Sequence, residues 1–487
     1  MGMRAHPAGP RHGEVLAAVG APPLPVTSSQ LNGLAAQIWP ESCGRSTNPA
    51  DHGAMVIGGC DVRELAAQYR TPLMVVDEGD FRSRAAAYAH AFDARGDAAA
   101  GSVYYAAKAF LTTAIAAWCL DEGLSIDVCT EGELACALRA GAPGQRLIMH
   151  GNNKSSAELA RALDAGVGRI VVDSFEEIAR LGHLASERGV VADVMVRVTT
   201  GVEAHTHEFI ATAHEDQKFG FSLASGSALE AVVRVLALRS LNLVGLHSHI
   251  GSQIFDSAGF EVAAHRVVGF AAQIQSELGH TVLELNLGGG MGIAYVEGDD
   301  PIDVVDMAEQ LRSIVRRESE AAGLGVPSIA VEPGRAIVGP TAITLYEIGT
   351  VKPVDLGHGV VRTYVSVDGG MSDNIRTALY DADYTVRLAS RTSEAPPMLT
   401  RVVGKHCESG DMVVRDAWLP SDLVPGDLLA LAATGAYCRP MASNYNYIPR
   451  PAVVAVGGGL SRTMLRRETE DDLFALDAGV WETVDRD

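Results

Sequence analysis

The sequence predicts an α/β protein, a (β/α)8 barrel of the TIM type joined to a second, antiparallel β domain of sandwich or barrel form. Three observations carry that prediction. Short apolar or β-branched runs alternate with helical segments between about residues 100 and 335, and eight such runs can be counted there. Eight strand-helix units in about 240 residues match a closed parallel barrel, whose strands are covered on both faces and therefore read as near-continuous apolar runs. After about residue 336 the pattern changes to alternating residues separated by turns, the mark of antiparallel structure. A doubly wound open sheet is the alternative for the first part; it requires a strand-order reversal that sequence does not display.

The eight runs are VYYAAKA, SIDVCT, RLIMHG, RIVVDS, DVMVRV, LVGLHSHI, VLELNLGG and SIAVEPG. Several are followed by a Ser or Thr with Glu three residues on, a pair that satisfies the free amides of a helix's first turn. Thr130 with Glu133, Ser155 with Glu158 and Ser174 with Glu177 are the cases. The helices they open are predicted to run to Gly141, Gly166 and Gly189, where glycine adopts the left-handed cap conformation. The later strands are AITLYEIGTVKPV, RTYVSVDGG, MLTRVVGKHC, DLLALAATGAY and AVVAVGGG. The predicted organisation is a loose tail over 1–36, short strands and a turn over 37–72 that join the β domain, the barrel over 73–335 and the β domain over 336–487.

At 487 residues the chain exceeds what one core serves, and 47% apolar against 20% charged residues fits an ordinary globular protein with an extensive interior. Sixty acidic and 39 basic side chains give a net charge of −21, which opposes docking on phosphate backbones or anionic lipid. Small-molecule partners are expected, with no nucleic acid and no membrane. The N-terminal stretch has no apolar segment of signal length, and no run approaches the roughly 20 apolar residues of a membrane span. Seven cysteines, an odd number without a CxxC pair, indicate neither a disulfide framework nor a zinc site, so a cytoplasmic location is expected.

Barrel enzymes place their chemistry at the C-terminal ends of strands, and the polar residues of this chain fall there. Lys108 closes the first run. A lysine in an apolar run is costly to desolvate, which suits a Schiff-base nucleophile, although a strand-end lysine also simply reaches solvent. GGGMG over 288–292 exposes bare backbone amides, as a phosphate cradle requires; it is also a tight turn, and its late position argues against a dinucleotide fingerprint. In EPGR, Glu332 can keep a pyridine nitrogen protonated and Arg335 can grip a carboxylate, or the two can pair with each other. HSHIGSQ ends the sixth run, where His249 could stack on a planar ring and Ser252 bind phosphate, against a plain core histidine. His247 with His249, and His205, His207 and His214, lack a fixed ligand spacing, so no metal is expected. CESGD sets Cys407 beside Glu408, a general acid or a structural thiol.

Taken in order, these segments resemble the fold-type III pyridoxal-phosphate decarboxylases from roughly residue 50 to 460, and CESGD with GAYC is most similar to the branch acting on meso-diaminopimelate. The resemblance implies pyridoxal 5′-phosphate as cofactor, held covalently by Lys108, with His249 on its ring, Glu332 on its ring nitrogen and Asp127 near Lys108. It implies that Gly289, Gly290, Ser252 and the Glu332-Pro333-Gly334-Arg335 segment hold the phosphate. Arg335, Arg376 and Tyr380 would bind substrate carboxylate, Cys407 would donate a proton, Glu408 would contact substrate amine, and Tyr437 would bridge substrate and cofactor. The implied reaction is decarboxylation of meso-2,6-diaminopimelate to L-lysine, the last step of lysine biosynthesis, in a homodimer whose active sites each take the cysteine from the other subunit. An ornithine or arginine decarboxylase, an alanine racemase or a non-catalytic regulator on the same scaffold are the alternatives. Ornithine decarboxylases lack the CES arrangement, a racemase needs a tyrosine base, and a regulator has no need of both Lys108 and Cys407. Two departures are the tail of about 35 residues and Tyr447 with Ile448 in SNYNYIPRPA, neither at a catalytic position.

Overall fold

A computed structural model describes residues 27–92, 102–201, 218–356 and 361–479. The tail before residue 27 and His205, His207 and His214 lie outside the described residues. The chain divides into two compact units, one of Gly79–Ala294 with Gly298–Pro340 and one of the remainder.

In the first unit all eight sequence-predicted strands form, as β1 (Ser102–Ala106), β2 (Ser125–Val128), β3 (Leu147–Met149), β4 (Arg169–Val172), β5 (Ala192–Thr199), β6 (Leu241–His247), β7 (Glu284–Asn286) and β8 (Ser328–Val331). Each pairs in parallel with the next, β8 pairs with β1, and the ring is closed, so the open-sheet alternative does not hold. Its interior is packed by Tyr104, Ile148, Val171, Met195, Val244 and Ala330 from six of the strands. A small Ala330 beside a large Tyr104 lets side chains from facing strands interlock, which makes the barrel a filled core rather than a pore.

The helix starts read from sequence are capped as expected. Thr130, Ser155 and Ser174 accept the amide three residues on and open Glu131–Arg139, Ser156–Asp164 and Phe175–Glu187. Gly141, Gly166 and Gly189 follow these helices with φ of 92°, 65° and 64°, values that a Cβ would strain. Only Ser155 and Glu158 form the reciprocal box. Glu133 turns its carboxylate to the Cys129 amide (2.6 Å), and Glu177 is buried against Lys154 (2.7 Å). Lys154 also donates to the carbonyls of Gly151 (2.6 Å) and Val171 (2.7 Å). That lysine fastens the loop after β3 to β4 and to the helix Phe175–Glu187.

In the second unit a seven-strand path runs Met412–Pro420, Pro397–Val403, Val361–Val367, Ala342–Asp355, Leu73–Asp77, Ala452–Gly457, Leu460–Leu465. Leu428–Leu431 and Val386–Leu388 branch from it. Most pairings are antiparallel; Val361–Val367 with Pro397–Val403 and Leu73–Asp77 with Ala452–Gly457 are parallel. The sequence division put residues 73–77 at the start of the barrel, whereas this strand, buried at every position, pairs here. A small sheet of Gly44–Arg45, Met55–Ile57 and Cys60–Asp61 joins the unit through the Met55 amide and the Ala389 carbonyl (2.8 Å). Among the described residues no helix is long and apolar enough to cross a membrane, and all seven cysteines are unpaired.

Removing one member of a buried ion pair leaves the other charge without compensation. Lys154→Ala is therefore expected to destabilise the protein by about 3–5 kcal/mol, and Ser155→Ala by about 1 kcal/mol, checked by denaturant unfolding.

Candidate active site at the barrel's strand ends

Four strands converge on one buried carboxylate. Glu332 follows β8 directly, and around it stand His150 just after β3, His247 at the end of β6 and Asn286 at the end of β7. Asn286 donates to Glu332 Oε1 (2.7 Å), His150 Nε2 lies 2.7 Å from the same oxygen, and His247 Nε2 lies 3.2 Å from Oε2. All four residues are buried. Burial pushes the Glu332 carboxyl upward, but the two imidazoles more than offset that and hold it well below the usual carboxylate range.

A second carboxylate, Asp127 on β2, lies 3.8 Å from His150 Nε2. Burial raises its pKa, His150 and Lys108 counter this only in part, and the nearby Glu332 charge adds to the rise. The site thus contains two carboxylates pushed apart in acidity, one firmly ionised and one inclined to hold a proton. Burial lowers His247 to about 4, so its ring is neutral at pH 7 and has a single N–H to give. Its Nδ1 is buried without a hydrogen-bond partner, which assigns the proton to Nε2, facing Glu332.

The loops after β6 and β7 lie backbone to backbone. Ile254 donates to the Gly290 carbonyl (2.9 Å) and Gly292 to the Ile254 carbonyl (2.9 Å). A Cβ on Gly290, whose φ is 119°, would meet the Gly251 carbonyl oxygen at 2.5 Å, and one on Gly289 would strike the Glu332 carbonyl. Ser252, in the loop after β6, accepts from the Arg335 guanidinium (2.9 Å). The Glu332 carboxylate contacts the two histidines and Asn286. Pro333 accepts from the Ala106 amide (3.1 Å), and a Cβ on Gly334 would meet Ala106 at 2.9 Å, which ties the end of β8 to β1.

Lys108 stands exposed in a short turn, Ala107–Ala109, immediately past β1, flanked by two buried alanines. Its charge is felt at Asp127 and at His249. Burial, with Lys108 next, lowers His249 to about 3, so this ring too is neutral.

The remaining predicted residues belong to the second unit. Cys407 is exposed on the turn between Pro397–Val403 and Met412–Pro420, its amide bonded to Asn446 Oδ1 (3.0 Å). That turn is held rigid by Asp411, which accepts from the His406 amide and from His406 Nδ1 (both 2.8 Å), while His406 stacks on Tyr445. The half-buried Glu408 accepts weakly from Ser409 Oγ and the Gly410 amide (both 3.4 Å). Tyr437 holds a left-handed φ of 61°, a conformation kept only where surroundings enforce it. Arg376 is buried between the rings of Tyr295 and Tyr384 and donates to both hydroxyls (2.9 and 2.6 Å), whereas Tyr380, one helical turn on, is 60% exposed.

Sequence reasoning missed His150, Asn286, Tyr295 and Tyr384. For the first two a signal existed: each is a polar residue closing an apolar barrel strand, the position at which barrels put functional groups.

The pyridoxal-binding domain of the pyridoxal-dependent decarboxylases matches residues 78–339. The chain is 56% identical to the diaminopimelate decarboxylase of Mycobacterium leprae over 98% of this chain and the whole of that protein. Crystal structures of the diaminopimelate decarboxylases of M. jannaschii and, complexed with L-lysine, of Helicobacter pylori superpose with TM-scores of 0.83 and 0.76. The first is 29% identical and covers 90% of this chain and 98% of its own; the second is 30% identical, with 85% and 99%.

A histidine lowered from 6.5 to about 3 in the folded state stays neutral there while the unfolded chain takes up a proton. Stability is therefore lost as pH falls from about 6.5 toward 3, by at most ~1.4 kcal/mol per pH unit and less where solvent screens the partly covered ring. The His249→Gln protein is expected to lose less stability than the wild type between pH 6.5 and 4.5, read from paired denaturant curves.

Proposed function

The chain belongs to the diaminopimelate decarboxylase family of pyridoxal-dependent decarboxylases, and from that premise we propose how its own residues carry out the decarboxylation of meso-2,6-diaminopimelate to L-lysine. The observation that carries the reading is the Glu332 carboxylate. Of its four acceptor positions, Asn286 and His150 face the two on Oε1 and His247 faces one on Oε2, which leaves one for a ring N–H. An ionised carboxylate at that place keeps a pyridine nitrogen protonated. The glycine run with Ser252 and Arg335 suits a phosphate, since backbone amides without side chains stand near a hydroxyl and a guanidinium that are themselves in contact.

Bound pyridoxal phosphate supplies the electron sink that lets the bond between Cα and its carboxylate break with loss of carbon dioxide. In this proposal Lys108 holds the cofactor, Asp127 lies beside it, His249 covers one ring face, and Gly289, Gly290, Ser252 and the Pro333-Gly334-Arg335 backbone hold the phosphate. Tyr437 contacts cofactor and substrate. Arg335, Arg376 and Tyr380 take substrate carboxylate, and Glu408 takes the distal ammonium. Arg376 is suited to this because its Tyr295 and Tyr384 partners are neutral phenols, which leave its charge uncancelled for an anionic ligand. A substrate lacking the distal charges would leave these groups unpaired, which is how a longer diamino acid is selected. Cys407 returns a proton to Cα; its exposure on a rigid turn suits a donor offered to another chain. We place it in a homodimer in which Cys407 of the partner subunit serves each barrel. A cytoplasmic location completes the reading and is supported by seven unpaired cysteines.

Purified protein with added pyridoxal phosphate is expected to release carbon dioxide from meso-diaminopimelate and not from ornithine or arginine; release from ornithine alone would move the substrate. Lys108→Ala and Cys407→Ala are each expected to abolish turnover. Mixing the two inactive proteins under exchange conditions should restore about a quarter of the wild-type rate, because mixed dimers regain one intact site. No recovery on mixing would place Cys407 in its own subunit's chemistry.

A further inference from the structure

His150 approaches the carboxylate at the centre of that reading as closely as Asn286 does, each at 2.7 Å. We propose that His150 is a positioning residue which, placed between Asp127 and Glu332, fixes the orientation and charge of the Glu332 carboxylate toward the cofactor's ring nitrogen. This inference rests on the proposed function and deepens it.

The geometry is specific. His150 Nε2 lies 2.7 Å from Glu332 Oε1 and 3.8 Å from Asp127 Oδ1, in a site where all three side chains are buried. The residue is itself locked in place. Its amide donates to the Val128 carbonyl (2.8 Å), its ring packs edge-on against His247 with centroids 4.6 Å apart, and the loop that follows is fastened through Lys154. Despite that, Nε2 is buried without a well-aligned hydrogen bond. A purely structural histidine has its ring nitrogens matched to backbone groups; the nearest acceptors of this one are two carboxylates. Asn286 and His247 also reach Glu332, and His150 approaches Asp127 as well. Without its N–H, Oε1 keeps only Asn286, the carboxylate is freer to rotate, and its ionised form loses one of its two nearest donors. The ring nitrogen would then face a less firmly charged acceptor. Substrate does not touch His150 in this scheme, so the loss falls on cofactor affinity and kcat rather than on KM.

The test compares wild type, His150→Leu, His150→Gln, Glu332→Gln and the His150→Leu/Glu332→Gln double variant as holoproteins. The dissociation constant for pyridoxal phosphate and the visible absorption spectrum of the bound cofactor are measured without substrate, then kcat and KM. His150→Leu is expected to weaken cofactor binding on the order of tenfold to a hundredfold, as loss of a hydrogen bond to a charged group does. It should also shift the absorption band and lower kcat with KM within about twofold. His150→Gln keeps an N–H within reach of Oε1 and should recover most of the affinity. In the Glu332→Gln background the leucine change should add little, since its effect passes through that carboxylate. If His150→Leu does not fold, His150→Asn replaces it, its amide being too short to reach Oε1. Wild-type affinity and spectrum in the Leu or Asn variant, or equal losses in both backgrounds, overturn the inference while leaving the proposed function standing. A wild-type protein that binds no pyridoxal phosphate overturns both.

Discussion

Placing a negative charge inside a protein is among the most costly things a fold can do, and the barrel is organised around one such charge. Glu332 is buried at the mouth of eight strands and stays ionised only because three other strands deliver donors to it. Those donors are fixed by backbone: His247 and Asn286 end strands, and His150 follows one directly with its amide still in the sheet's hydrogen bonding. Rigid strands set the donors to within a fraction of an ångström, which loops of comparable length could not do. The packed layer of Tyr104, Ile148, Val171, Met195, Val244 and Ala330 below is what makes the strands rigid.

The second unit solves a different problem, the presentation of an exposed thiol on a fixed turn. Cys407 is solvent-exposed, but the turn beneath it is pinned by the buried Asp411, which gathers the His406 amide, the His406 ring and the Met371 amide (2.6 Å). Exposure and fixed placement are thus reconciled. Arg376 shows the converse arrangement, a buried cation whose guanidinium donates to two uncharged phenol hydroxyls.

Much of this was legible in the chain before any coordinates. Parallel strands buried on both faces read as unbroken apolar runs, and all eight lay where those runs lie. Thr130, Ser155 and Ser174 marked their helices because capping is a local interaction. What escaped was nonlocal. Glu177 looked like the second half of a capping box and instead neutralises Lys154. Leu73–Asp77, an apolar run closed by one buried aspartate, has the same local pattern as a barrel strand. Met412–Pro420 was overlooked because Arg415 and Asp416 break its apolar run, yet Asp416 is paired with Arg362 (3.0 Å) and Arg415 with Asp381. Within the site, the residues inside compact motifs, Lys108, His249, Ser252 and Glu332, could be named, whereas His150 and Asn286 sit in no motif and acquire their meaning only from a carboxylate far along the chain.

The glycine cradle has a consequence for how this gene can change. At Gly289 and Gly290 the backbone of a neighbouring segment occupies the space where any side chain would begin, and Gly290 also holds a left-handed φ. Every change in the first or second base of a glycine codon introduces a side chain or a stop, so at these two codons nearly all nonsynonymous mutation is closed regardless of the chemistry introduced. Drift in the barrel mouth is therefore channelled into the flanking residues, and new specificities in such a scaffold have to arise around an unchanging backbone turn rather than by remodelling it.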